Sequence, residues 1–257
     1  KKNTLICVCG CVASQEGKNI LKRAPFVDII FGPQTIHKLI KMINSISLNK
    51  KKQIDISFPS IDKYDFFPKP TFNKVSAFVS IQEGCNKFCS YCIVPYTRGK
   101  EINRKFDDII YECFLLSTQG VKEIILLGQN VNAYLSKNKY GERIDLASLI
   151  FYISEIEGIK RIDFTTSHPS EFTDNLIQAY KEIPKLVRHL HLPIQSGSNK
   201  ILKKMKRGYS VQEYKDKIFK LKSIDHNITI GSDFIVGFPG ESQSDFDDTL
   251  NLIDKIN

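Results

Sequence analysis

The chain lacks any apolar run of the roughly 18 residues that a membrane-spanning helix needs. It also lacks the charged start, apolar stretch and small-residue cleavage site of a secretory signal. Internal repeats and extended low-complexity tracts are absent as well. Its seven cysteines are an odd number in a chain without an export signal, which favours reduced thiols and metal binding over disulfides. These absences predict a cytoplasmic protein with no membrane partner.

Composition and charge set further bounds. The 257 residues are 42% hydrophobic, which is enough for one large or two moderate domains with a substantial core. The formal net charge of +9 favours a polyanionic partner such as nucleic acid. Lys, Asn and Ile are abundant along the whole chain, however, so biased residue usage explains the charge equally well.

Three cysteines share one short segment. Cys85, Cys89 and Cys92 stand in the string EGCNKFCSYC, a CxxxCxxC pattern with Tyr91 just before its last cysteine. Sulfur ligation selects zinc or an iron–sulfur cluster, and both normally take four protein ligands. A site with three thiolates keeps one metal position open for a small molecule. A structural zinc loop remains the alternative at this point.

From about residue 74 onward, short apolar runs alternate with amphipathic helical patterns, which predicts a parallel βα architecture. The predicted strands are 75–81, 123–127, 161–165, 189–192 and 228–236. Cys113 lies on the apolar face of the first helix and is predicted to be a small core residue. Each strand is followed by a polar loop with glycine, proline or cysteine, and such loops converge at one end of parallel strands. The sequence therefore predicts an active site there.

The first part of the chain has a different pattern. Strands are predicted at 4–9 and 26–31 and helices at 14–23 and 33–46. A polar segment at about 47–72 is predicted to be a linker, so the domains expected are 1–60 and 73–257. Cys11 follows the first predicted strand, and Cys7 and Cys9 alternate with it along the same run.

Several motifs together carry a resemblance to a known family. The CxxxCx(aromatic)C pattern resembles the radical-SAM superfamily. With it, GCVASQEG, VDIIFGPQT, CIVPYTRGKE, LLGQNVNAY, FTTSHPSEFTD, HLPIQSGS, MKRGY and SDFIVGFPGE resemble the tRNA methylthiotransferases of the MiaB type over nearly the whole chain. The resemblance implies an α/β fold, with a partial radical-SAM (βα) barrel preceded by part of an N-terminal α/β methylthiotransferase domain. Since no initiating methionine is present and the family continues at both ends, we expect a fragment.

The resemblance also implies cofactors and site residues. Cys85, Cys89 and Cys92 would hold a [4Fe-4S] cluster whose open iron binds S-adenosylmethionine, which is then reductively cleaved to a 5'-deoxyadenosyl radical. Cys11 would be one ligand of a second, auxiliary [4Fe-4S] cluster. The pocket for S-adenosylmethionine would be lined by seven residues: Gln129, Asn130, Gln195, Ser196, Asp233, Gly237 and Glu241. An electron donor such as flavodoxin or ferredoxin is implied as a partner.

The implied substrate is the anticodon stem-loop of tRNA, where a methylthio group is added to position 2 of N6-isopentenyladenosine at position 37. Tyr96 is a candidate for stacking on the base. Candidates for phosphate contacts are Arg98, Lys200, Lys203, Lys204, Lys206 and Arg207. No catalytic role is expected for His168, His189 or His191, because acid–base groups do not readily ionise an aromatic C–H bond. Two alternatives remain, a radical-SAM methylthiotransferase of a ribosomal-protein aspartate and a non-catalytic iron–sulfur or zinc module that binds RNA.

Overall fold

The computed structural model describes residues 4–58, 64, 70 and 74–256. The chain divides into two compact units, one made of Lys1–Pro68 with Ile93–Lys100 and the other of Lys69–Cys92 with Glu101–Asn257. The segment 93–100, which the sequence pattern assigned to the second domain, thus groups with the first unit. No helix among the described residues is long and apolar enough to cross a membrane.

The first unit is a small α/β sandwich around a parallel sheet of order β1-β2-β3. Ile30 packs with Ala13 and Val27 on one face of the sheet, and Ile29 and Phe31 pack with Met42 on the other. A 3₁₀ helix over Pro33–Lys38 leads into the third α-helix. The elements are β1 (Cys7–Cys9), α1 (Cys11–Glu16), α2 (Lys18–Arg23), β2 (Ile29–Phe31), α3 (Leu39–Asn49), β3 (Gln53–Asp55) and α4 (Val94–Thr97).

Three predictions for this unit need correction. The helix predicted at 14–23 is two helices, because the backbone at Gly17 has a φ of 48° and interrupts the helix. The predicted linker at 47–72 begins inside α3 and contains β3, a short strand whose polar ends hide it from a hydrophobicity pattern. Cys11 does not alternate with Cys7 and Cys9, because β1 ends at Cys9 and Cys11 begins a helix. Most of the remaining predicted linker lies outside the described residues.

The second unit is the larger α/β body. Its strands are β4 (Ser76–Ser80), β5 (Gln82–Glu83), β6 (Ile102–Asn103), β7 (Glu123–Leu127), β8 (Leu135–Lys137), β9 (Arg143–Asp145), β10 (Arg161–Phe164), β11 (His189–His191) and β12 (Thr229–Gly231). Its helices are α5 (Phe106–Thr118), α6 (Leu146–Ser154), α7 (Asp174–Glu182), α8 (Asn199–Lys204), α9 (Val211–Ile224) and α10 (Gln243–Ile256). Short 3₁₀ helices cover Val131–Ala133 and Pro169–Glu171.

Five of these strands are parallel and follow one another in chain order. β4, β7 and β10 form one sheet, with β7 in the centre. An isolated parallel bridge joins Ile162 to Leu186, just before β11, which pairs with β12. The antiparallel pairs β5–β6 and β8–β9 lie outside this series. Since the strands are parallel, their C-terminal ends and the loops that follow lie at the same end of the unit.

One continuous core supports this end of the unit. Ala77 and Val79 from β4, together with Ile81 just after it, pack with Ile124 and Leu126 from β7, and all five are nearly inaccessible to solvent. Cys113 belongs to this core, as its place on the apolar face of α5 predicted. The predicted capping box at the start of α9 is confirmed, since Ser210 and Glu213 exchange side-chain and backbone hydrogen bonds. The α/β class and the alternating order of elements are therefore as the sequence predicted.

Candidate active site

The cysteine loop connects β5 to α4 and carries all three cysteines of the motif. Cys89 is buried, whereas Cys85 and Cys92 are half-buried, and the backbone amide of Cys92 donates to the carbonyl of Cys89 at 2.9 Å. Phe88, between the first two cysteines, has a φ of 49°. Burial raises the pKa of Cys85, and the neighbouring Cys89, Glu101 and Cys92 add to this increase against a backbone hydrogen bond. The three thiols are thus close enough to influence one another electrostatically.

The donor set fits an iron–sulfur cluster in its chemistry. Three sulfur donors on one loop suit iron–sulfur ligation, and the loop supplies no fourth ligand. Within the described ranges, no three His, Cys, Asp or Glu side chains are arranged to hold a metal ion. The assignment of Cys85, Cys89 and Cys92 as ligands therefore stays a prediction, as does that of Cys11. Cys11 is half-buried at the start of α1 in the first unit.

Gln82 connects the cysteine loop to the loop after β7. Its buried Oε1 accepts hydrogen bonds from the backbone amides of Gln129 and Asn130 at 2.8 and 3.0 Å, and its Nε2 donates to the carbonyl of Gly84 at 2.7 Å. In return, the amide of Gly84 donates to Gln129 Oε1 at 2.8 Å. A Cβ at Gly128 would lie 2.6 Å from Gln82 Oε1, so the two loops require glycine there. Gln82 was not predicted as a site residue, because a single glutamine at a strand end carries no motif of its own.

Asn130 and Glu101 form a polar pair of residues beside the same loops. The Oδ1 atom of Asn130 is buried and has no hydrogen-bond partner within the described part of the chain. Burial raises the pKa of Glu101, while hydrogen bonds from Asn103 and Asn130 lower it and the charge of Glu171 raises it further. An unsatisfied buried acceptor is costly, so this position favours a ligand that donates a hydrogen bond.

His168 lies at the end of the loop after β10. Its backbone amide and carbonyl pair with the side-chain amide of Asn132 at 2.8 and 2.9 Å, and its Nδ1 accepts from the amide of Ser170 at 3.2 Å. The ring packs edge-on against Tyr209, with centroids 5.6 Å apart. Burial lowers the pKa of His168 to about 3, helped by the charges of Arg207, Lys87 and Lys217. His168 is therefore neutral near pH 7 and held in place by its backbone and ring contacts; the absence of a catalytic role stays a prediction.

The loop after β11 carries Gln195 and Ser196. Gln195 has a φ of 80° and exchanges backbone hydrogen bonds with the segment after β12, donating to Asp233 and accepting from Ile235 at 2.9 Å each. The Ser196 hydroxyl is fully buried, where it accepts from the amide of Ser198 at 3.1 Å. Gln195 is half-buried, whereas Ser196 is buried and stabilises the loop through its hydrogen bond with Ser198.

The segment after β12 carries the other three predicted pocket residues. Asp233 is exposed, and its Oδ2 lies 3.1 Å from His191 Nε2. Glu241 Oε2 accepts from the amides of Gly237 and Phe238, which closes the turn, while Glu241 Oε1 is buried without a hydrogen-bond partner in the described residues. β12 ends at Gly231, short of the strand predicted at 228–236, so Asp233, Gly237 and Glu241 lie on the segment that follows it. Their contact with S-adenosylmethionine stays a prediction.

Arg207 is not a surface residue, which corrects its listing among the phosphate candidates. It is only 6% exposed, and its Nη1 donates to Cys89 Sγ at 3.4 Å and to the Tyr91 hydroxyl at 3.2 Å. Lys200 pairs with Asp245 at 2.6 Å and is less suited to a phosphate contact. Lys203, Lys204 and Lys206 are exposed, as is Tyr96 of the first unit. Arg207 was a candidate because it ends a run of basic residues, and a charge pattern cannot distinguish a buried guanidinium from an exposed one.

Comparison with protein families identifies the larger unit. The family model described as the Radical SAM superfamily matches residues 79–253, which include the cysteine loop and all five parallel strands except the start of β4. The chain belongs to the radical SAM superfamily. Membership implies a [4Fe-4S] cluster and S-adenosylmethionine as cofactors, and it confirms the fold class predicted from the sequence.

Solved radical SAM enzymes share the fold. The cobalamin-dependent S-adenosylmethionine radical enzyme OxsB superposes with a TM-score of 0.69 at 13% identity, covering 96% of this chain and 38% of that enzyme. The radical S-adenosylmethionine methyltransferase TsrM from Kitasatospora setae gives a TM-score of 0.56 at 14% identity, covering 71% of this chain and 34% of that enzyme. At these identities the likeness concerns the fold alone.

Curated relatives are much closer in sequence. The chain is 62% identical over 254 residues to a tRNA-2-methylthio-N(6)-dimethylallyladenosine synthase of Vesicomyosocius okutanii, a match that covers 99% of this chain. It is 57% identical over 256 residues to the enzyme of that name from Francisella tularensis subsp. holarctica. The chain spans 58% of the length of each of these relatives.

Proposed function

We propose that the protein to which this chain belongs is a radical-SAM tRNA methylthiotransferase, a tRNA-2-methylthio-N6-dimethylallyladenosine synthase. It would add a methylthio group to position 2 of N6-isopentenyladenosine at position 37 of tRNA. The observation that carries the proposal is the 62% identity to a synthase of that name over 99% of the chain. Identity at this level extends through both units, so it supports a shared substrate as well as a shared cofactor.

The residues of the larger unit have distinct roles in this proposal. Cys85, Cys89 and Cys92 hold the cluster, which supplies the electron that cleaves bound S-adenosylmethionine. Gln82 and Gln129 fix the cysteine loop against the loop after β7. The remaining pocket residues, proposed to line the cofactor, are Asn130, Gln195, Ser196, Asp233, Gly237 and Glu241. Cys11 contributes to an auxiliary cluster in the first unit.

The proposed partners follow from the substrate. An anticodon stem-loop presents unpaired bases, which a protein can stack and read without opening a duplex. The net charge of +9 and the exposed Lys203, Lys204 and Lys206 suit a polyanion. Tyr96 is exposed and suited to stacking, and Arg98 adds a positive charge nearby in sequence. A reductant of the flavodoxin or ferredoxin type and a cytoplasmic location complete the proposal.

Mass spectrometry of tRNA tests the substrate. A strain deleted for the gene should lose 2-methylthio-N6-isopentenyladenosine and accumulate N6-isopentenyladenosine, and the intact gene should restore the product. A gene encoding alanine at Cys85, Cys89 and Cys92 should fail to restore it, while a gene with alanine at the core residue Cys113 serves as the control. Unchanged tRNA with loss of a methylthiolated ribosomal protein would refute the tRNA assignment. Restoration by the triple variant would instead favour a non-catalytic RNA-binding role.

A further inference from the structure

In the part of the chain that the structure describes, Arg207 is a buried cation without a carboxylate partner. Its side chain is 6% exposed, and among the described residues no carboxylate oxygen lies within 4.0 Å of its guanidinium. The other buried arginine, Arg104, forms an ion pair with Glu112. A buried charge is costly unless it is paired. The site around Arg207 is therefore electrostatically incomplete and favours an anion.

The guanidinium is held in one orientation. Its Nε donates to the Tyr209 hydroxyl and its Nη2 donates to the carbonyl of Pro193, both at 2.8 Å. The Tyr209 hydroxyl is itself anchored to the carbonyl of Ile194 at 2.8 Å, and the Tyr209 ring lies 5.3 Å from the guanidinium carbon. These contacts leave Nη1 directed at the cysteine loop, where it reaches Cys89 Sγ at 3.4 Å.

The two sides of this contact are complementary in charge. Iron–sulfur ligation requires Cys89 to be a thiolate, and three thiolates on one loop gather negative charge in a partly buried place. A hydrogen bond to a cluster sulfur and a nearby positive charge both favour the reduced, more negative state of a cluster. The loop is also tied to the end of α8 near Arg207, since the amide of Ser90 donates to the carbonyl of Met205 at 3.1 Å.

We propose that Arg207 is a positioning residue that donates a hydrogen bond to the thiolate of Cys89 and raises the reduction potential of the cluster. The inference rests on the assignment of the cluster to Cys85, Cys89 and Cys92 made above. It is independent of the RNA substrate. Arg207 touches no reacting atom of the substrate in this role; it makes electron transfer into the cluster more favourable and fixes the orientation of one ligand.

The test is a redox titration of the anaerobically reconstituted chain, followed by the electron paramagnetic resonance of the reduced cluster. R207Q removes the charge and is expected to make the one-electron reduction about tenfold less favourable, a shift of about 59 mV to lower potential. R207K keeps the charge but loses the fork geometry, so its potential should fall between those of R207Q and the parent. K203Q removes an exposed charge from α8 and should leave the potential unchanged.

Iron and sulfide content separates the role of Arg207 from the cluster assignment on which it rests. A parent chain that takes up no cluster while its triple-alanine variant behaves identically would refute the cluster assignment itself. A cluster-bearing R207Q with a reduction equilibrium within about threefold of the parent would overturn the role of Arg207 alone. If R207Q does not fold, R207K decides, and a reduction potential equal to that of the parent would overturn the role of Arg207. A shift in K203Q equal to that of the Arg207 variants would show a general charge effect and would also overturn the proposal.

Discussion

The buried histidine gives the protein a specific sensitivity to acid. His168 is 5% exposed, its Nε2 has no partner in the described residues, and burial lowers its pKa to about 3. An unfolded histidine titrates near its ordinary pKa of about 6.5. Between those two values the unfolded chain binds a proton that the folded chain does not, so stability falls as the pH falls through this window.

The size of the effect follows from the same two values. At pH 7 and above both states are largely neutral, and His168 adds no pH dependence. pH 5 lies about 1.5 units below the pKa of histidine in the unfolded chain, and each unit corresponds to about 1.36 kcal/mol. The free energy of unfolding therefore falls by about 2 kcal/mol. For a chain of this size, that corresponds to a fall of about 4–8 °C in the unfolding temperature.

The assay compares variants in the cluster-free protein, because acid also attacks a cluster. H168N keeps an acceptor for the amide of Ser170 but does not titrate, and H226N removes an exposed histidine as the control. Thermal unfolding between pH 7 and pH 5 should show a smaller decrease for H168N than for the parent, with H226N following the parent. Carboxylates such as Asp55 and Asp145, whose pKa values are lowered, cancel in the difference. Equal slopes for H168N and the parent would refute the reasoning.

Three further perturbations address the core and the loops. Cys113 is fully buried, and burial raises its pKa. A thiol reagent, read out by mass spectrometry, should therefore modify Cys113 only after unfolding, whereas the exposed Cys9 should react in the native protein. Labelling of Cys113 in the native protein would contradict this. Q82L leaves the backbone amides of Gln129 and Asn130 without their acceptor and should lower the free energy of unfolding by about 1–3 kcal/mol for each amide, as measured by denaturant unfolding. An unchanged unfolding midpoint would mean that the loops are held without the Gln82 side chain. G197A places a Cβ 2.5 Å from the Thr249 Cα and should cost at least about 1–3 kcal/mol; parental stability would show that α10 moves freely.

Where the sequence pattern was strong, it located elements closely. The predicted strand at 123–127 coincides with β7, because its apolar run is continuous and Ile124 and Leu126 on one face enter the core. The capping box of α9 needed only a serine and a glutamate at the right spacing. The hairpin β8–β9 was missed, since only Leu135 and Ile144 in its strands are apolar and backbone pairing defines it. Periodicity detects burial, and short polar strands bury little.

The site was predicted in place but not in detail. Polar loops after five strands predicted that these loops share one end of the larger unit, and the parallel strand pairings agree, because that inference needs only chain direction and strand order. The role of Gln82 depends on backbone groups 47 and 48 residues away, and that of Arg207 on a thiol 118 residues away. Such contacts leave no spacing rule in a single sequence.

Strained backbone and buried polar atoms without partners occur together at the ends of the strands. Thr166 and Gln195 have φ values of 63° and 80°, a region that costs energy for residues with a Cβ and especially for a β-branched one. Ser167 Oγ and His168 Nε2, which follow Thr166, are buried without hydrogen-bond partners in the described residues. The same holds for Asn130 Oδ1, whose neighbour Val131 donates its amide to the carbonyl of Thr166 at 2.9 Å. A core selected only for stability would remove such groups, since hydrophobic replacements avoid the cost of unsatisfied polar atoms. Their accumulation at the ends of β7 and β10 is accounted for if a polar cofactor completes the hydrogen bonding, and S-adenosylmethionine has the amino, carboxylate and ribose groups to do so.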